Sequence, residues 1–474
     1  MDLFNTLTKQ EEAFTPINAD NIGMYVCGPT VYDLAHLGNA RPVVVFDVLF
    51  RLLRSQYKQV TYVRNITDVD DKINAAALAS GEDIRTITTR TTKAYHEDMR
   101  ALNALSPTHE PRATDHIEDM IGMIESLITQ DFAYVKEGHV LFRVQKYQNY
   151  GHLSRRQQDE LIAGARVEVA PYKEHAGDFV LWKPSSPELP GWDSPWGRGR
   201  PGWHIECSAM SKVFLGQTFD IHGGGVDLVF PHHENEIAQS CCAHQTERMA
   251  NIWMHNGHLL VNGEKMSKSL GNFFTVRDVL KDYDGEVIRL AFSSTHYRQP
   301  LDWTDETPKI AKVTLDYFYR ARLFRPKNPY EENRLAEFRK GKKELQIDPK
   351  NNNILENTLK KDLNTPLLIS FMYELANDIF RRNFSSDEDP ECALWHMADL
   401  LGFYGQFLGI LMHDPKEWFQ GKAADNQGIE DLIAARNEAK KARNFAEADR
   451  IRALLSEEGI VLEDGPGGTI WRKA

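Results

Sequence analysis

The feature that most constrains the fold is a strand, a helix and a second strand in succession near the N-terminus. Residues 22–27 form a short apolar run, residues 41–56 carry apolar side chains at helical spacing, and residues 59–67 are rich in β-branched and aromatic types. Such a βαβ unit joins two parallel strands, and open sheets of this kind bind ligands at the carboxyl ends of their strands. We therefore predict an α/β chain with a ligand site where the first strand meets the first helix.

The turn between that strand and that helix, residues 29–39, carries groups that suit a nucleotide. We call it the phosphate turn. His36 and Asn39 can donate hydrogen bonds to phosphate oxygens, and Gly38 leaves room for a flat base against the backbone. The N-terminus of the helix adds a favourable field for an anion. A His-x-Gly triplet alone is a weak signal, so its weight depends on a second motif.

That second motif is residues 262–272, which we call the lysine loop. Glycines near both ends allow backbone angles that other residues resist, so the segment can move. Its basic and hydroxyl groups can close on a polyphosphate and offset the charge of a transition state. These groups are Lys265, Ser267, Lys268 and Ser269. A solvated basic turn is the alternative, and the phosphate turn at the first βα connection favours the nucleotide interpretation.

Four potential metal ligands come from three parts of the chain: Cys27, Cys207, His232 and Glu236. The last two are four residues apart and hence share one face of a predicted helix. Two thiolates, an imidazole and a carboxylate suit zinc by ligand softness. The residues alone leave two alternatives open, namely buried thiols without a metal and a competing pair formed by Cys241 and His244.

Length, composition and charge limit the number of domains and the classes of protein to which this chain can belong. A chain of 474 residues exceeds one hydrophobic core, so two to four domains are expected. No apolar run approaches the length of about 18 residues that a membrane helix needs, and no signal peptide is visible, so we predict a cytoplasmic protein without a membrane span. Five cysteines, an odd number, argue against a disulfide framework. A net charge of −12 argues against indiscriminate nucleic-acid binding.

The pattern along the chain predicts six segments. The alternation of strands and helices breaks off near residue 113 and resumes near residue 203, which indicates an insertion that ends in a Pro-, Gly- and Trp-rich loop at residues 183–203. After Trp303 the pattern turns helical. The predicted segments are two halves of a nucleotide-binding domain (1–112 and 203–260), the insertion (113–202), a lysine-loop and stem-contact region (261–305), a helical bundle (306–425) and a small C-terminal domain (426–474).

The C-terminal domain is predicted to contain a helix hairpin at residues 428–458 and a strand-like tail at residues 460–472. The hairpin concentrates positive charge in Arg436, Lys440, Lys441, Arg443, Arg450 and Arg452. This charge favours contact with a long polyanion such as RNA. A solvated amphipathic hairpin held by ion pairs one helical turn apart stays equally open.

Specific motifs run along nearly the whole chain, at residues 4–8, 24–33, 62–72, 202–208, 219–225, 230–236, 262–272, 462–466 and 469–472. With them the sequence resembles the cysteinyl-tRNA synthetases, a family of class I aminoacyl-tRNA synthetases. The resemblance implies a Rossmann-like catalytic domain with a connective insertion, a helical bundle and an anticodon-recognition domain. Asn39 departs from the class I signature, which ends in His, but the cysteine-specific members share this change. Because Asn carries no charge, less is expected of Asn39 than of His36.

The resemblance also implies roles for individual residues. Zinc is expected on Cys27, Cys207, His232 and Glu236, and the substrate cysteine is expected beside Gly28, Thr67, Trp203 and His222. ATP, with magnesium, is expected between the phosphate turn and the lysine loop, at Thr30, His36, Gly38, Asn39, Asp227, Lys265, Ser267, Lys268 and Ser269. Four of these are expected to stabilise the transition state: His36, Asn39, Lys265 and Lys268.

The implied reaction has two steps. The carboxylate of L-cysteine attacks the α-phosphorus of ATP to give cysteinyl-adenylate, and a ribose hydroxyl at the 3′ end of tRNA(Cys) then attacks the adenylate carbonyl. Zinc is expected to distinguish cysteine from serine through the thiolate, so no editing site is expected. Asp449 and Asp464 are expected to accept hydrogen bonds from anticodon bases, and Trp471 is expected to stack on a base.

Two other functions compete with this one. A ligase that passes activated cysteine to an amino sugar should lack most of the helical and C-terminal region after Trp303, which is present here. A non-catalytic, zinc-dependent RNA-binding protein should have a decayed phosphate turn or lysine loop, and both are intact. Nothing in the sequence requires a dimer, so a monomer is expected.

Overall fold

The computed structural model describes residues 1–155, 170–267, 270–323, 349–382, 390–421, 426–465 and 468–473. For residues 349–352, 390–393, 395, 463–465, 468, 470 and 473 the description covers the backbone. Lys268 and Ser269 of the predicted ATP site therefore lie outside the described residues. The residues that the structure describes divide into two compact units. One lies within residues 1–312 and 330–371, and the other lies within residues 313–329 and 372–474. None of the described helices is long and apolar enough to cross a membrane.

The first unit contains most of the strands. Its strands are β1 (Asp2–Asn5), β2 (Gln10–Ala13), β3 (Ile22–Val26), β4 (Val60–Arg64), β5 (Ala133–Lys136), β6 (His139–Phe142), β7 (Phe179–Pro184), β8 (Gly199–Pro201), β9 (Phe219–Gly225), β10 (Ala250–Asn256), β11 (Leu259–Val261), β12 (Glu264–Lys265) and β13 (Leu301–Trp303). Its helices are α1 (Leu37–Gln56), α2 (Asp71–Ser80), α3 (Ile84–Ala101), α4 (Ile117–Thr129), α5 (Trp203–Leu215), α6 (Glu234–His244), α7 (Val276–Leu280) and α8 (Gly285–Ser293).

The predicted βαβ unit and its parallel sheet are confirmed. Strands β3 and β4 run parallel with α1 between them, and β9 and β10 extend the sheet in the order β10-β9-β3-β4. All five residues of β4 are buried, as expected for a parallel strand that is covered on both faces. The phosphate turn, residue Thr67 and the turn after β9 consequently share the carboxyl edge of this sheet.

The insertion forms an antiparallel sheet of β5, β6, β7 and β8, which pair in that order. The predicted loop at residues 183–203 is wrong at both ends, since residues 183 and 184 belong to β7 and Trp203 begins a helix. It is also wrong for residues 199–201, because they pair with β7 as strand β8. A Cβ added at Gly199 would lie 2.3 Å from Trp182 Nε1, so glycine permits this close approach. A short edge strand of Gly, Arg and Pro has no apolar alternation, which explains why its pattern is typical of a loop.

The second unit is mainly helical, as predicted. Helices α9 (Glu306–Arg322) and α11 (Thr365–Arg381) pass from the first unit into the second, and α10 (Pro349–Asn357) belongs to the first. The remaining elements are α12 (Pro390–Leu408), α13 (Pro415–Gln420), α14 (Gln427–Lys441), α15 (Phe445–Glu457), β14 (Ile460–Gly465) and β15 (Gly468–Lys473). The predicted strand-like tail is thus two antiparallel strands, β14 and β15, which cover the hairpin of α14 and α15 through a small apolar core.

Candidate metal and nucleotide site

The four predicted metal ligands meet at the carboxyl edge of the parallel sheet. Cys27 directly follows β3, Cys207 lies in the second turn of α5, and His232 and Glu236 flank the start of α6. One donor atom from each lies within 4.8 Å of the others. Cys207, His232 and Glu236 are buried, and Cys27 is partly exposed. We call these four residues the ligand quartet.

The spacing of the donor atoms fits a tetrahedral zinc ion. Cys27 Sγ lies 3.8 Å from Cys207 Sγ, and two Zn–S bonds of about 2.3 Å at a tetrahedral angle require about 3.8 Å. Cys27 Sγ lies 3.5 Å from Glu236 Oε1, against about 3.6 Å for one sulfur and one oxygen ligand. His232 Nε2 lies 3.0 Å from the same oxygen, which is a hydrogen-bond distance and shorter than the about 3.4 Å of two zinc ligands.

A second group shares two of these residues. Cys27 and Glu236 also lie within 4.8 Å of His222 and His233, and the sequence patterns do not single out His233. His222 Nε2 lies 2.8 Å from Glu236 Oε2, while His233 Nδ1 lies 2.8 Å from His255 Nε2. The ligand quartet contains two sulfurs and this group only one, so the softness of zinc favours the quartet. His222 then acts on the carboxylate of Glu236 as a hydrogen-bonding neighbour.

Burial and mutual contact shift the pKa values of the quartet. Burial raises the pKa of Glu236, but the charges of His222 and His232 outweigh it and hold this pKa well below its usual range. Burial likewise opposes protonation of His232, yet the charge of Glu236 raises its pKa to about 10. Burial raises the pKa of Cys27, and the hydrogen bond with Cys27 lowers that of Cys207 to about 6. A divalent ion would displace the protons that these groups hold.

The residues of the predicted cysteine pocket lie around the quartet. The ring of Trp203 stacks on His232 with centroids 4.3 Å apart, and 39% exposure places it at the outer wall. The backbone N–H of Gly28 donates to Asn65 Oδ1 at 2.8 Å. A Cβ at Gly28 would lie 1.6 Å from Asn65 O, so no other residue fits without moving the backbone.

Thr67 belongs to a buried hydrogen-bond chain that the sequence patterns do not reveal. Asn65 Nδ2 donates to Thr67 Oγ1 at 3.2 Å, and Thr67 Oγ1 donates to Glu206 Oε2 at 3.2 Å. Burial, followed by the charge of Cys207, raises the pKa of Glu206 well above its ordinary value. Because both partners of Thr67 are buried, its hydroxyl has a fixed orientation.

The phosphate turn connects β3 to α1 as predicted. Thr30 and Thr67 pair as an isolated parallel bridge, which ties the turn to the neighbouring strand. Asn39 Oδ1 accepts a hydrogen bond from the backbone N–H of His36 at 3.2 Å and so helps to begin the helix. A Cβ at Gly38 would lie 2.9 Å from the His36 ring and 3.4 Å from Met266 Cε. The lysine loop therefore lies beside the phosphate turn.

The described part of the lysine loop is exposed at residues 262–265 and 270–271 and has glycines near both ends. Gly263 and Gly271 have φ angles of 79° and 69°, which only glycine adopts freely. Lys265 ends β12 and is exposed, and Asn272 bonds to the backbone of Ser267 and Lys265 at 2.8 and 3.4 Å. Asp227 is also exposed, in the turn that follows β9 at the same sheet edge.

The predicted anticodon residues lie in the C-terminal hairpin and its strands. Asp449 is exposed on α15, and Asp464 is in β14 with its side chain outside the described residues. Trp471 is 4% exposed and donates its indole N–H to Glu430 Oε1 at 2.8 Å. This burial indicates a packing role for Trp471, and base contacts by all three residues stay predictions.

Comparison with known proteins agrees with this geometry. Residues 13–313 match the family described as the tRNA synthetases class I (C) catalytic domain, and residues 426–472 match the cysteinyl-tRNA ligase anticodon binding domain. The cysteine–tRNA ligase of Paramagnetospirillum magneticum is 58% identical over 99% of this chain and 99% of the relative. That of Rhodospirillum centenum is 55% identical over 100% of both.

Solved structures with low sequence identity share the fold. Methionyl-tRNA synthetase of Mycobacterium tuberculosis in complex with methionyl-adenylate aligns with a TM-score of 0.57 at 14% identity, covering 84% of this chain and 91% of that chain. LeuRS of Agrobacterium radiobacter, in a ternary complex with tRNA and LeuAMS, aligns with a TM-score of 0.56 at 11% identity, covering 84% and 85%. Together with the close sequence relatives, these findings show that the chain belongs to the cysteine–tRNA ligase family of class I aminoacyl-tRNA synthetases.

Proposed function

We propose that this chain activates L-cysteine with ATP and transfers it to the 3′ end of tRNA(Cys). The observation that carries this proposal is the ligand quartet, in which two thiols, an imidazole and a carboxylate meet beside a phosphate turn. A soft donor set of this kind suits a zinc ion, and zinc in turn binds thiolates such as the sulfur of cysteine. The relatives named cysteine–tRNA ligase, 50–58% identical along the chain, support the same activity.

We assign one zinc ion per chain to the ligand quartet. Bound zinc supplies a Lewis-acidic position that takes the substrate sulfur as thiolate, which the hydroxyl of serine cannot match. The hydrogen bond from His222 orients the carboxylate of Glu236, and Trp203 covers His232 from the solvent side. An apolar pocket alone would separate cysteine from serine by only about 1–3 kcal/mol. With this selection, the enzyme needs no editing site.

The rest of the cysteine molecule is assigned to the neighbouring pocket. Gly28 is proposed to line this pocket as a residue that packs directly on Asn65, because a Cβ at this position would lie 1.6 Å from Asn65 O. Thr67 offers a hydroxyl that Asn65 and Glu206 hold in one orientation. The remaining lone pair of Thr67 Oγ1 can accept a hydrogen bond from the substrate ammonium, which leaves the substrate carboxylate free to face the phosphate turn, and orientation lowers the barrier to attack.

ATP, with magnesium, is assigned to the space between the phosphate turn and the lysine loop. The closeness of Met266 to Gly38 supports this assignment, because it brings the two motifs to one place. We assign contacts with the adenosine part of ATP to Thr30, Gly38 and Asp227. The phosphate contacts are assigned to His36, Asn39, Lys265, Lys268, Ser267 and Ser269.

The chemistry then follows the implied two steps. A carboxylate oxygen of cysteine bonds to the α-phosphorus of ATP, and the bond from that phosphorus to pyrophosphate breaks in line. The lysines of the lysine loop and the ring of His36 offset the negative charge that develops on the phosphate oxygens. A hydroxyl of the terminal ribose of tRNA next attacks the carbonyl carbon, and AMP leaves. No side-chain nucleophile is required, so catalysis depends on positioning and electrostatics.

The tRNA is assigned mainly to the helical region and the C-terminal domain. The family match at residues 426–472 supports anticodon contacts there. Asp449 and Asp464 are proposed to accept hydrogen bonds from the amino groups of anticodon bases, and stacking of Trp471 on a base stays a prediction. We further propose the six segments given above as domains, and a monomer that acts in the cytoplasm.

Cysteine-dependent exchange of pyrophosphate into ATP, followed by charging of tRNA(Cys), tests the proposal. We expect exchange with cysteine but not with serine, charging of tRNA(Cys), and about one zinc ion per chain by metal analysis. Exchange without charging would instead indicate the amino-sugar ligase. Absence of both reactions in zinc-loaded protein would indicate a non-catalytic RNA-binding protein and overturn the proposal.

A further inference from the structure

Helix α3 contacts the phosphate turn, and it also contacts α7, the helix that follows the lysine loop. The Thr91 hydroxyl, near the middle of α3, donates a hydrogen bond to the backbone oxygen of Val31 in the phosphate turn at 2.7 Å. The same hydroxyl oxygen lies 2.9 Å from the backbone oxygen of Ile87 in its own helix. Thr91 and Val31 are both buried. This contact therefore holds one end of the phosphate turn against α3.

The same face of α3 meets Arg277 at the start of α7. Residues 91, 94 and 98 share this face because they are three and then four positions apart. Arg277 Nη2 donates to the backbone oxygen of Ala94 at 3.1 Å and lies 2.5 Å from Glu97 Oε2. Arg277 Nε lies 2.8 Å from Asp98 Oδ1. We call Glu97, Asp98 and Arg277 the arginine clamp.

The carboxylate of Asp98 is the buried part of the clamp. Asp98 is 2% exposed, whereas the side chains of Arg277 and Glu97 are 38% and 45% exposed. Burial raises the pKa of Asp98 to about 6, and the charge of Arg277 acts against this rise. Desolvation offsets much of the attraction in a buried pair, so stability alone is a weak reason for this arrangement.

The backbone between the lysine loop and the arginine clamp pairs with the phosphate turn. The backbone N–H of Val276 donates to the oxygen of Ala35 at 2.9 Å, and His36 and Thr275 form an antiparallel bridge. The ring of Phe273 meets the ring of His36 at an interplanar angle of 69°, with centroids 5.2 Å apart. The clamp therefore acts, through α7, on the segment that joins the lysine loop to the ring of His36.

We propose that the arginine clamp sets the spacing between the phosphate turn and the lysine loop, with Arg277 as a positioning residue for the ATP step. The seven residues from Thr91 to Asp98 span about 10 Å of a rigid helix, so α3 holds its two anchors at a constant separation. Groups that act in a transition state need placement within about 0.5 Å. The inference rests on the proposed function, because it concerns the activation of cysteine by ATP.

Pyrophosphate exchange by variants of the full-length, zinc-loaded protein tests the inference. Arg277→Gln removes the charge and the paired hydrogen bonds, whereas Arg277→Lys keeps the charge. Because Arg277→Gln leaves Asp98 without its counter-ion, the double variant Arg277→Gln/Asp98→Asn is made as well, so that no buried charge is left unpaired. Arg90→Gln is the matched control, because it breaks an exposed pair of Arg90 on α3 with Glu82, at 2.6 and 2.9 Å.

Arg277→Gln should lower kcat of exchange about ten- to thirtyfold, since a displacement of about 1 Å can cost about a hundredfold. The double variant should show a similar loss, Arg277→Lys should recover most of it, and Arg90→Gln should match the wild type. The KM for ATP should rise less than kcat falls, as expected for groups that act in the transition state. The KM for cysteine and the zinc content should stay at wild-type values, because the clamp shares no residue with the ligand quartet.

A combined variant separates positioning from stability. If Arg277 acts through the lysine loop, Arg277→Gln together with Lys265→Ala should lose clearly less than the product of the two single losses, because residues that act as a unit are non-additive. We expect a combined loss below about a third of that product. A role in stability alone would leave the two losses multiplicative.

A kcat of exchange that stays at the wild-type value in both Arg277→Gln and the double variant would overturn the inference. A fully multiplicative loss with Lys265→Ala, an equal loss in Arg90→Gln, or a parallel loss of zinc would also overturn it. Failure of the proposed function has a different signature, because the wild type itself would then show no cysteine-dependent exchange. A loss of kcat that keeps zinc and the KM for cysteine, and is less than multiplicative with Lys265→Ala, supports Arg277 as a positioning residue.

Discussion

The ligand quartet and the lysine loop contribute to one proposed reaction from opposite surroundings. Cys207, His232 and Glu236 are at most 1% exposed, whereas Lys265 is exposed between glycine hinges. Dense packing holds donor atoms at fixed distances, and burial strengthens every charge interaction among them. Exposed cations stay solvated until a polyphosphate arrives. The contrast teaches that, in the proposed reaction, selection of the thiol would depend on the packed core, while neutralisation of phosphate charge would depend on an exposed segment.

The largest effect is expected from removing one donor of the buried site. Cys207→Ser should weaken zinc binding by about 3 kcal/mol, more than a hundredfold, since structural zinc sites bind with about 10–16 kcal/mol over four ligands. Metal analysis and cysteine-dependent exchange should decline together. Cys242→Ser is the control, because Cys242 is buried but outside the quartet. Full zinc content and exchange in Cys207→Ser would contradict the assignment.

An effect of similar size is expected from a buried ion pair on α1, the helix that follows the phosphate turn. Asp47 on α1 pairs with Arg289 on α8 and with Arg51. Asp47→Asn removes the carboxylate that pairs with the buried guanidinium of Arg289. We expect the free energy of unfolding at pH 7, measured by denaturant titration, to fall by about 3 kcal/mol. Asp193→Asn, at an exposed loop position, should change it by less than about 0.5 kcal/mol.

The pH dependence of this pair has a defined sign. Burial raises the pKa of Asp47, but the charges of Arg289 and Arg51 outweigh it, so the folded pKa lies below 3.8. A depressed carboxyl pKa stabilises the fold above its ordinary pKa, and this contribution is lost as the pH falls through the folded value. The stability difference between wild type and Asp47→Asn should therefore narrow in acid below about pH 3.8. A difference that grows in acid would contradict the pairing.

Removing a cation of the exposed loop tests the other half of the comparison. Lys265→Ala should lower kcat for pyrophosphate exchange about a hundredfold, comparable to the loss of one transition-state donor. Zinc content should not change. Lys281→Ala, at an exposed position directly after α7, should leave kcat unaltered. Loss of zinc from Lys265→Ala would contradict the assignment of metal binding and phosphate neutralisation to two different regions.

The smallest effect is expected in the C-terminal domain, which belongs to the second unit. Asp449→Ala should raise the tRNA KM about five- to tenfold, the cost of one lost hydrogen bond to a base of about 1 kcal/mol. Pyrophosphate exchange should stay at the wild-type rate. Glu457→Ala, an exposed acid on the same helix, is the control, and equal effects of the two variants would show a general charge effect.

Local patterns predicted those parts of the site whose members are neighbours in sequence. The phosphate turn, the lysine loop and the pair His232 and Glu236 could be recognised because the local backbone determines how their residues relate. Asn65, Glu206 and His233 were not recognised. Asn65 and Glu206 orient Thr67 only after the segment that follows β4 has packed against α5. His233 and His232 are neighbours in sequence and differ in the direction that their rings face in the folded chain.

The sequence by itself determined the parallel sheet, the place of the phosphate turn and lysine loop, and the supply of soft metal donors. Periodicity and short motifs encode these features within one or two elements. Only the tertiary structure decided that Cys27 and Cys207, 180 residues apart, bring their sulfurs to 3.8 Å. It also decided that His232 lies in a group with both sulfurs, whereas His222 and His233 lie in a group with Cys27 alone of the two. A contact between distant segments depends on how whole strands and helices pack, and no local pattern carries that information.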